Sequence, residues 1–424
     1  MQNNRVINAW CMYDWANSVY SLVITTAIFP IYYNAVTTSS SGSDIVSFFG
    51  IEIANSVLYS YSLSFSFLIL TFFQPILSGI ADFSGNKKLF LRLFMYLGSF
   101  SCMALYFFDG NNVEFGIISS VIASIGFTGS LVFYNAFLPE IASEKDFDKI
   151  SARGYTFGYI GSVILLIICL ILIQMFDSFG FKDSKSATKF TFLLVGVWWI
   201  LFSQITLYFL PQKAKKIKLN FEILSHGIRE LIKVWNYIKN FRNLKLYLFS
   251  YFFYSMGVQT IMLVASYFGS KELNLDQDKL IFTILIIQII AIFGAYFFAY
   301  ISKIKGNKFS LVVMNIAWIF ICFSAYFTTN ENQFYFLAAA VGILMGGIQS
   351  LSRSTFSKLI PSEINENSSF FNFYAISYNL SVVVGTFSYG YIEQITGSMR
   401  TSILALMTFF IIGLFILFFT RIKR

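Results

Sequence analysis

The chain has 424 residues, of which 57% are hydrophobic, 20% aromatic and only 12% charged, and its mean hydropathy is +0.68. Soluble domains carry roughly 25% charged residues, so this composition excludes a water-soluble protein. A formal net charge of +9 raises nucleic acid as a partner, but the basic residues follow membrane topology instead. With both termini cytoplasmic, all of the 30 Lys and Arg except Lys182, Lys185, Lys189, Lys271, Lys279 and Arg400 fall on that side.

The chain begins with a short polar lead containing Arg5 and no small-residue cleavage site, so the first apolar run is expected to stay in the protein. A bilayer core needs about 20 apolar residues per helical crossing. Such runs predict spans 1 to 6 near Tyr13–Ala35, Ile53–Ala81, Leu89–Phe108, Phe115–Phe137, Ala152–Phe176 and Phe190–Leu210. Spans 7 to 12 follow near Lys245–Phe268, Lys279–Ile301, Phe309–Thr328, Phe334–Phe356, Phe370–Ile392 and Thr401–Phe419. The runs are continuously apolar and lack two-residue alternation, which favours helices over a barrel.

Span 1 carries Asp14, Asn17, Ser18, Ser21 and Thr25 at spacings that make one polar stripe on an α-helix. Such a stripe belongs against a water-filled path or the bundle interior rather than lipid. Asp14, about one turn inside the predicted span, is the candidate carrier of a coupling proton. After span 2 comes the polar turn GIADFSGNKK, Gly79 to Lys88. Gly79 and Gly85 permit a tight turn, and Asp82 is placed to accept from a neighbouring helix N-terminus or to pair with Lys87 or Lys88. Span 4 offers Thr128 and Asn135, and span 5 a packing stripe of Gly154, Gly158 and Gly161.

Between spans 6 and 7 lies the longest polar interval. It opens with Lys213, Lys215, Lys216 and Lys218, and then places Phe221, Leu224, Ile228, Leu231, Trp235 and Ile238 on one helical face. That pattern predicts an amphipathic helix on the membrane surface. Span 10 sets Gly342, Gly346, Gln349 and Arg353 on one face, and span 11 places Asn372, Asn379 and Thr386 seven residues apart. Arg353 needs an acceptor in the membrane: a substrate carboxylate, Asp14, Glu140 and backbone carbonyls all qualify.

The turn after span 8, YISKIKGNK, repeats the turn after span 2. Ile80 matches Ile301, Gly85 matches Gly306, Asn86 matches Asn307 and Lys87 matches Lys308, and Pro139 recurs as Pro361 at nearly the same offset. The chain therefore reads as two copies of one membrane unit, a common construction in secondary transporters. The expected fold is all-α and integral to the membrane, with about twelve transmembrane helices in two pseudo-symmetric six-helix bundles. Residues 1–210 form the first bundle, 211–244 a cytoplasmic linker and 245–424 the second bundle.

The Gly79–Lys88 turn resembles the loop between spans 2 and 3 of the major facilitator superfamily at Gly79, Asp82, Gly85, Lys87 and Lys88, with Phe83 and Asn86 at two of the usual basic positions. Three further segments, YDWANSVY (Tyr13–Tyr20), FYNAFLPEIA (Phe133–Ala142) and GGIQSLSRSTFSKLIP (Gly346–Pro361), resemble the vacuole-effluxer-like branch. Its best-known eukaryotic members are autophagy-related exporters of amino acids from the vacuole. The resemblance implies a secondary transporter fold, a latch at the Asp82 loop on the cytoplasmic side, and a small polar solute such as an amino acid.

No phosphate-binding G-x-x-x-x-G-K-[ST] loop and no HExxH motif is present; the one histidine is His226, and Cys11, Cys102, Cys169 and Cys322 lie in or beside separate spans. Enzyme activity, a metal and a cofactor are therefore not expected. The expected partners are a small-molecule substrate, the lipid bilayer and a coupling proton, and the chain is expected to act as a monomer in the cell membrane. The alternatives are a permease for lipid or cell-wall fragments and a non-transporting sensor of the same fold.

Overall fold

The structure is a computed structural model that describes residues 4–38, 43–212, 221–361 and 366–422. Among the described residues, 12 helices are long and apolar enough to cross a bilayer. Spans 1 to 6 are Asn4–Thr37, Asn55–Ser84, Lys87–Phe107, Val113–Ile141, Glu144–Gln174 and Ser184–Phe209. Spans 7 to 12 are Arg242–Leu273, Lys279–Lys305, Asn307–Phe327, Glu331–Leu359, Asn367–Thr396 and Met399–Phe419. An even number of crossings puts both termini on one face of this integral, multi-pass membrane protein.

Each half is organised around its own apolar core. Trp10, Phe94, Phe108, Phe192 and Trp199 anchor the first, and Tyr247, Tyr254, Trp318, Phe356 and Phe410 the second. Outward-facing side chains remain apolar as well: Phe72, Phe336 and Phe387 are 72%, 81% and 72% exposed. In water such a surface would aggregate, whereas facing acyl chains it carries no penalty. The two bundles meet where span 2 packs on span 11 and span 5 packs on spans 8 and 10. Val132, Ala136 and Tyr159 of the first half join the second core there.

Several local features depart from the sequence expectations. Span 1 begins at Asn4, well before Tyr13, so Asp14 lies about three turns into the helix rather than one. Its middle, Tyr20–Ile28, is a π-helix between α-helical Asn4–Val19 and Phe29–Thr37. Pro30 has no N–H to give the Thr26 carbonyl, which favours the wider turn. Along span 1 the predicted stripe is unevenly covered: Asn17 is buried, Ser18 and Thr25 are half-buried, and Ser21 is exposed.

A two-stranded antiparallel hairpin, β1 Ile45–Phe48 and β2 Ile51–Ala54, joins spans 1 and 2 and adds a small β element to the helical fold. Its turn takes positive φ at both Phe49 and Gly50, +48° and +81°, and the Phe49 N–H donates to Glu114 Oε1 at 3.1 Å. The repeated turns also diverge in backbone. Gly85 ends span 2 in the left-handed region at φ +66°, ψ +18°, while Gly306 takes φ +88°, ψ +159°, a region open essentially to glycine alone.

Helix Phe221–Asn240 connects the halves and packs on spans 2, 7 and 11. Its predicted single apolar face is divided. Val234 and Ile238 are buried with Leu231 half-buried beside them, while Ile228, Ile232 and Trp235 are exposed. The side chains of Phe221 and Leu224, and the run from Lys213 to Lys218, lie outside the described residues.

Candidate functional site

Span 10 brings Arg353 into the seam between the bundles, where the residue is 1% exposed. Nε donates to Ser151 Oγ at 2.9 Å and Nη2 to the Ser151 carbonyl at 2.8 Å. Nη1 donates to Asp14 Oδ2 at 3.1 Å and, at 3.4 Å, to Asn135 Oδ1. The guanidinium lies over the rings of Tyr155, Trp10 and Tyr134 at 4.2, 4.8 and 5.6 Å from their centroids. One cation of the second half is thus enclosed by spans 1, 4 and 5 of the first. Of the acceptors open to it in the sequence, the structure selects Asp14 and a backbone carbonyl, not Glu140.

The pair is braced by neighbouring side chains. Tyr134 donates its hydroxyl to Asp14 Oδ2 at 2.7 Å, and Trp10, stacked on Tyr134, donates Nε1 to the Tyr134 carbonyl at 3.0 Å. Ser151 Oγ donates to the Ser350 carbonyl at 2.7 Å, across the same seam. Gly154 and Gly158 supply the room, because a Cβ at the first would collide with Asp14 Oδ2 and Arg353 Nη2 and one at the second with Ser18 Oγ. Burying two charges costs several kcal/mol per ion before their attraction is counted. Hydrogen bonds from all three guanidinium nitrogens and to Asp14 Oδ2, together with three aromatic faces, offset that cost here.

On the termini-bearing face the repeated turns close the seam in two ways. Asp82 accepts the backbone N–H groups of Ser368 at 3.0 Å and Ser369 at 2.7 Å, so span 2 caps the first turn of span 11. Lys87 lies 3.7 Å from Asp82 and pairs more closely with Glu140 at the end of span 4. Gly79 is buried in span 2 and Gly85 makes the turn. Of the two lysines open to Asp82 in the sequence, Lys87 is the one beside it, while Lys88 donates to the Leu210 carbonyl at 3.1 Å.

The second copy, which has Lys303 where the first has Asp82, takes its acid from the other bundle. Asp148, early in span 5, accepts from Ser302 Oγ at 2.6 Å, Asn307 Nδ2 at 2.8 Å and Lys358 Nζ at 2.7 Å. Sequence reading missed this residue. Its only local signal is an acid in the first turn of a helix, which capping alone would explain.

Above the ion pair, Tyr159 donates to Gln349 Oε1 at 2.8 Å across the seam, and Tyr378 to Gln259 Oε1 at 3.2 Å. Tyr251 stacks on Tyr374 with centroids 4.2 Å apart, and Tyr155 sits 6.2 Å from Tyr159. Asn372 and Asn379 are buried, with neither carboxamide atom hydrogen-bonded among the described residues. Asn17 Nδ2 is buried and unpartnered in the same way. Gln259, Tyr251 and Tyr374 were not anticipated, since a lone amide or tyrosine in an apolar run gives no pattern. Among the described residues no three His, Cys, Asp or Glu side chains converge on one point.

Beyond the spans, Lys233 of the linker helix pairs with Glu366 and lies 3.6 Å from Glu230. Burial pushes the Glu366 carboxyl up, but the Lys233 hydrogen bond and charge outweigh it and hold the group below the usual carboxylate range. Burial raises Glu230, with Lys233 offsetting only part of the effect.

The sequence model of a family described as vacuole effluxer Atg22 like matches residues 2–424. An uncharacterized MFS-type transporter, YxiO, from Bacillus subtilis (strain 168) is 34% identical over 415 residues, covering 97% of this chain and 94% of the relative. Autophagy-related protein 22-1 of Emericella nidulans is 21% identical over 517 residues, covering 94% and 87%. Among solved structures, the major facilitator superfamily transporter FucP in its outward conformation superposes with a TM-score of 0.70 at 11% identity, covering 99% of this chain and 98% of that one.

Proposed function

Because this chain belongs to the vacuole effluxer Atg22-like family of MFS-type transporters, we propose that it is a secondary active transporter, not an enzyme, moving a small polar solute by alternating access. The observation that carries this is the nature of the closed seam. The two halves are joined on one side by an ion pair, hydrogen bonds and helix caps, contacts that exchange for water or solute far more readily than an interdigitated apolar core. The first bundle, residues 1–210, rocks against the second, residues 245–424, with 211–244 as the tether.

The basic bias of the termini-bearing loops orients that face to the cytoplasm, so the state described is closed to the cytoplasm. The bacterial relative supports a cell-membrane location over a vacuolar one. In this mechanism Arg353 and Asp14 are the exchangeable elements. A solute carrying a carboxylate and an ammonium offers each of them a replacement partner, so the pair opens without leaving either charge bare. That complementarity favours a zwitterion of amino-acid type. Protonation of Asp14 would equally release Arg353, which makes the carboxyl the coupling-proton candidate. Gln349, Asn135, Asn372 and Asn379 line the path on this view, with Asn17, Ser18, Ser21 and Thr25 on span 1.

The test is a thermal-shift screen of metabolites on the purified protein, followed by proteoliposome flux of the hits. A ligand at a hundred times its Kd stabilises by about 2.7 kcal/mol, enough to register. Small zwitterions raising Tm and moving down a proton gradient are expected. Stabilisation by amphiphiles alone would favour a lipid or cell-wall-fragment permease, and stabilising ligands that never cross the membrane would favour a sensor.

A further inference from the structure

The linker helix Phe221–Asn240 presents three faces. Val234 and Ile238, 1% and 4% exposed, pack on the bundles. Ile228, Ile232 and Trp235 form an outward apolar stripe, 40%, 51% and 52% exposed. Arg229, Lys233, Asn236 and Lys239 form an exposed polar face beside it. Among the described residues, the acids near this face, Glu230 and Glu366, are both engaged by Lys233. Arg229 and Lys239 stand outside that pairing. An apolar stripe flanked by cations that make no ion pair among the described residues, with a tryptophan at its edge, has the chemistry of a helix seated in anionic headgroups.

The same helix grips the gate. Lys233 holds Glu366, Trp235 stacks on Phe373 at 5.7 Å, and Tyr237 meets Phe370 edge-on at 5.7 Å. Between these contacts lie Ser368 and Ser369, whose N–H groups are the ones held by Asp82. Linker helix and Asp82 therefore fix one turn of span 11 from two sides.

We propose that the linker helix is a docking surface for anionic lipid of the cytoplasmic leaflet, and that docking holds the cytoplasmic gate closed. The inference rests on the orientation and gating proposed above. Lipid that seats Ile228, Ile232, Trp235, Arg229 and Lys239 keeps the helix against span 11. Without it the helix is held by its protein contacts alone, and the Asp82 cap opens more often. Each basic residue near an anionic surface contributes enough that replacing both Arg229 and Lys239 weakens docking about 30-fold.

The full-length protein is reconstituted in vesicles of pure phosphatidylcholine and in vesicles containing one-third phosphatidylglycerol. An environment-sensitive fluorophore on Ile232→Cys reports docking, the four native cysteines being buried. In a separate variant, Ser368→Cys, the rate of modification by an uncharged, impermeant polyethylene-glycol maleimide reports opening. Phosphatidylglycerol is expected to blue-shift the fluorophore and slow the modification several-fold, and the paired substitution Arg229→Gln and Lys239→Gln to remove both effects. An unshifted fluorophore overturns the docking. A shift with an unchanged modification rate overturns the coupling to the gate. If both respond to lipid while no solute is transported in either vesicle, the transporter reading fails and the lipid inference stands.

Discussion

Arg353 concentrates the physics of this protein in one side chain. Removing its partner leaves a buried, unpaired cation, which costs about 3–5 kcal/mol. Asp14→Ala is therefore expected to lower Tm and membrane abundance sharply. Replacing both charges together, Asp14→Leu with Arg353→Met, removes the uncompensated charge and is expected to recover much of the stability while abolishing flux. Thermal denaturation and proteoliposome uptake on the two variants separate a stabilising pair from a working one; a doubly substituted chain that transports normally would reduce the pair to scaffolding. From sequence, Asp14 and Arg353 were each legible, because a charge in an apolar run demands a reason. Their pairing was not, since 339 positions separate them and several other acceptors were chemically equal.

At the scale of elements, the repeated turns are caps supplied in trans. Asp82 satisfies two N–H groups that span 11 cannot satisfy itself, and Asp148 gathers the turn between spans 8 and 9 together with the end of span 10. Loss of a helix cap costs roughly 0.5–2 kcal/mol, so Asp82→Ala is expected to shift the balance of closed and open states by about 2- to 30-fold toward cytoplasmic opening. Asp148→Ala should act in the same direction. Spin-label distances across the termini-bearing face give the populations, and an unchanged distribution in both variants would mean that the caps do not govern closure. The Asp82 turn was readable because its residues are contiguous. Asp148 escaped because its partners come from the other half, and the copy it serves carries a lysine where an acid was sought.

At the scale of the whole molecule, two bundles of six crossings place both termini together, and in the proposed orientation the basic loops put them in the cytoplasm. Epitope tags at the two ends are expected to be reachable in intact cells only after permeabilisation. Antibody binding to either tag on unpermeabilised cells would reverse the orientation and, with it, the side that the Asp82 and Asp148 contacts close. The lipid-facing surface constrains none of this, because any apolar side chain satisfies it equally. Selection of one packed state therefore falls to the few polar groups in the seam.

Composition and run length alone determined the solvent, the number of crossings and the duplication, because a bilayer imposes its thickness on every helix and a repeated turn is visible in the residues themselves. The tertiary structure decided what those residues meet. It widened span 1 into a π-helix over Tyr20–Ile28, divided the face of the linker helix between protein and surroundings, bonded Lys88 to the Leu210 carbonyl and joined Asp14 to Arg353. Membrane insertion is set residue by residue, through the transfer free energy of each side chain. Pairing across a seam depends on which distant groups arrive at hydrogen-bonding distance, and no local spacing encodes that.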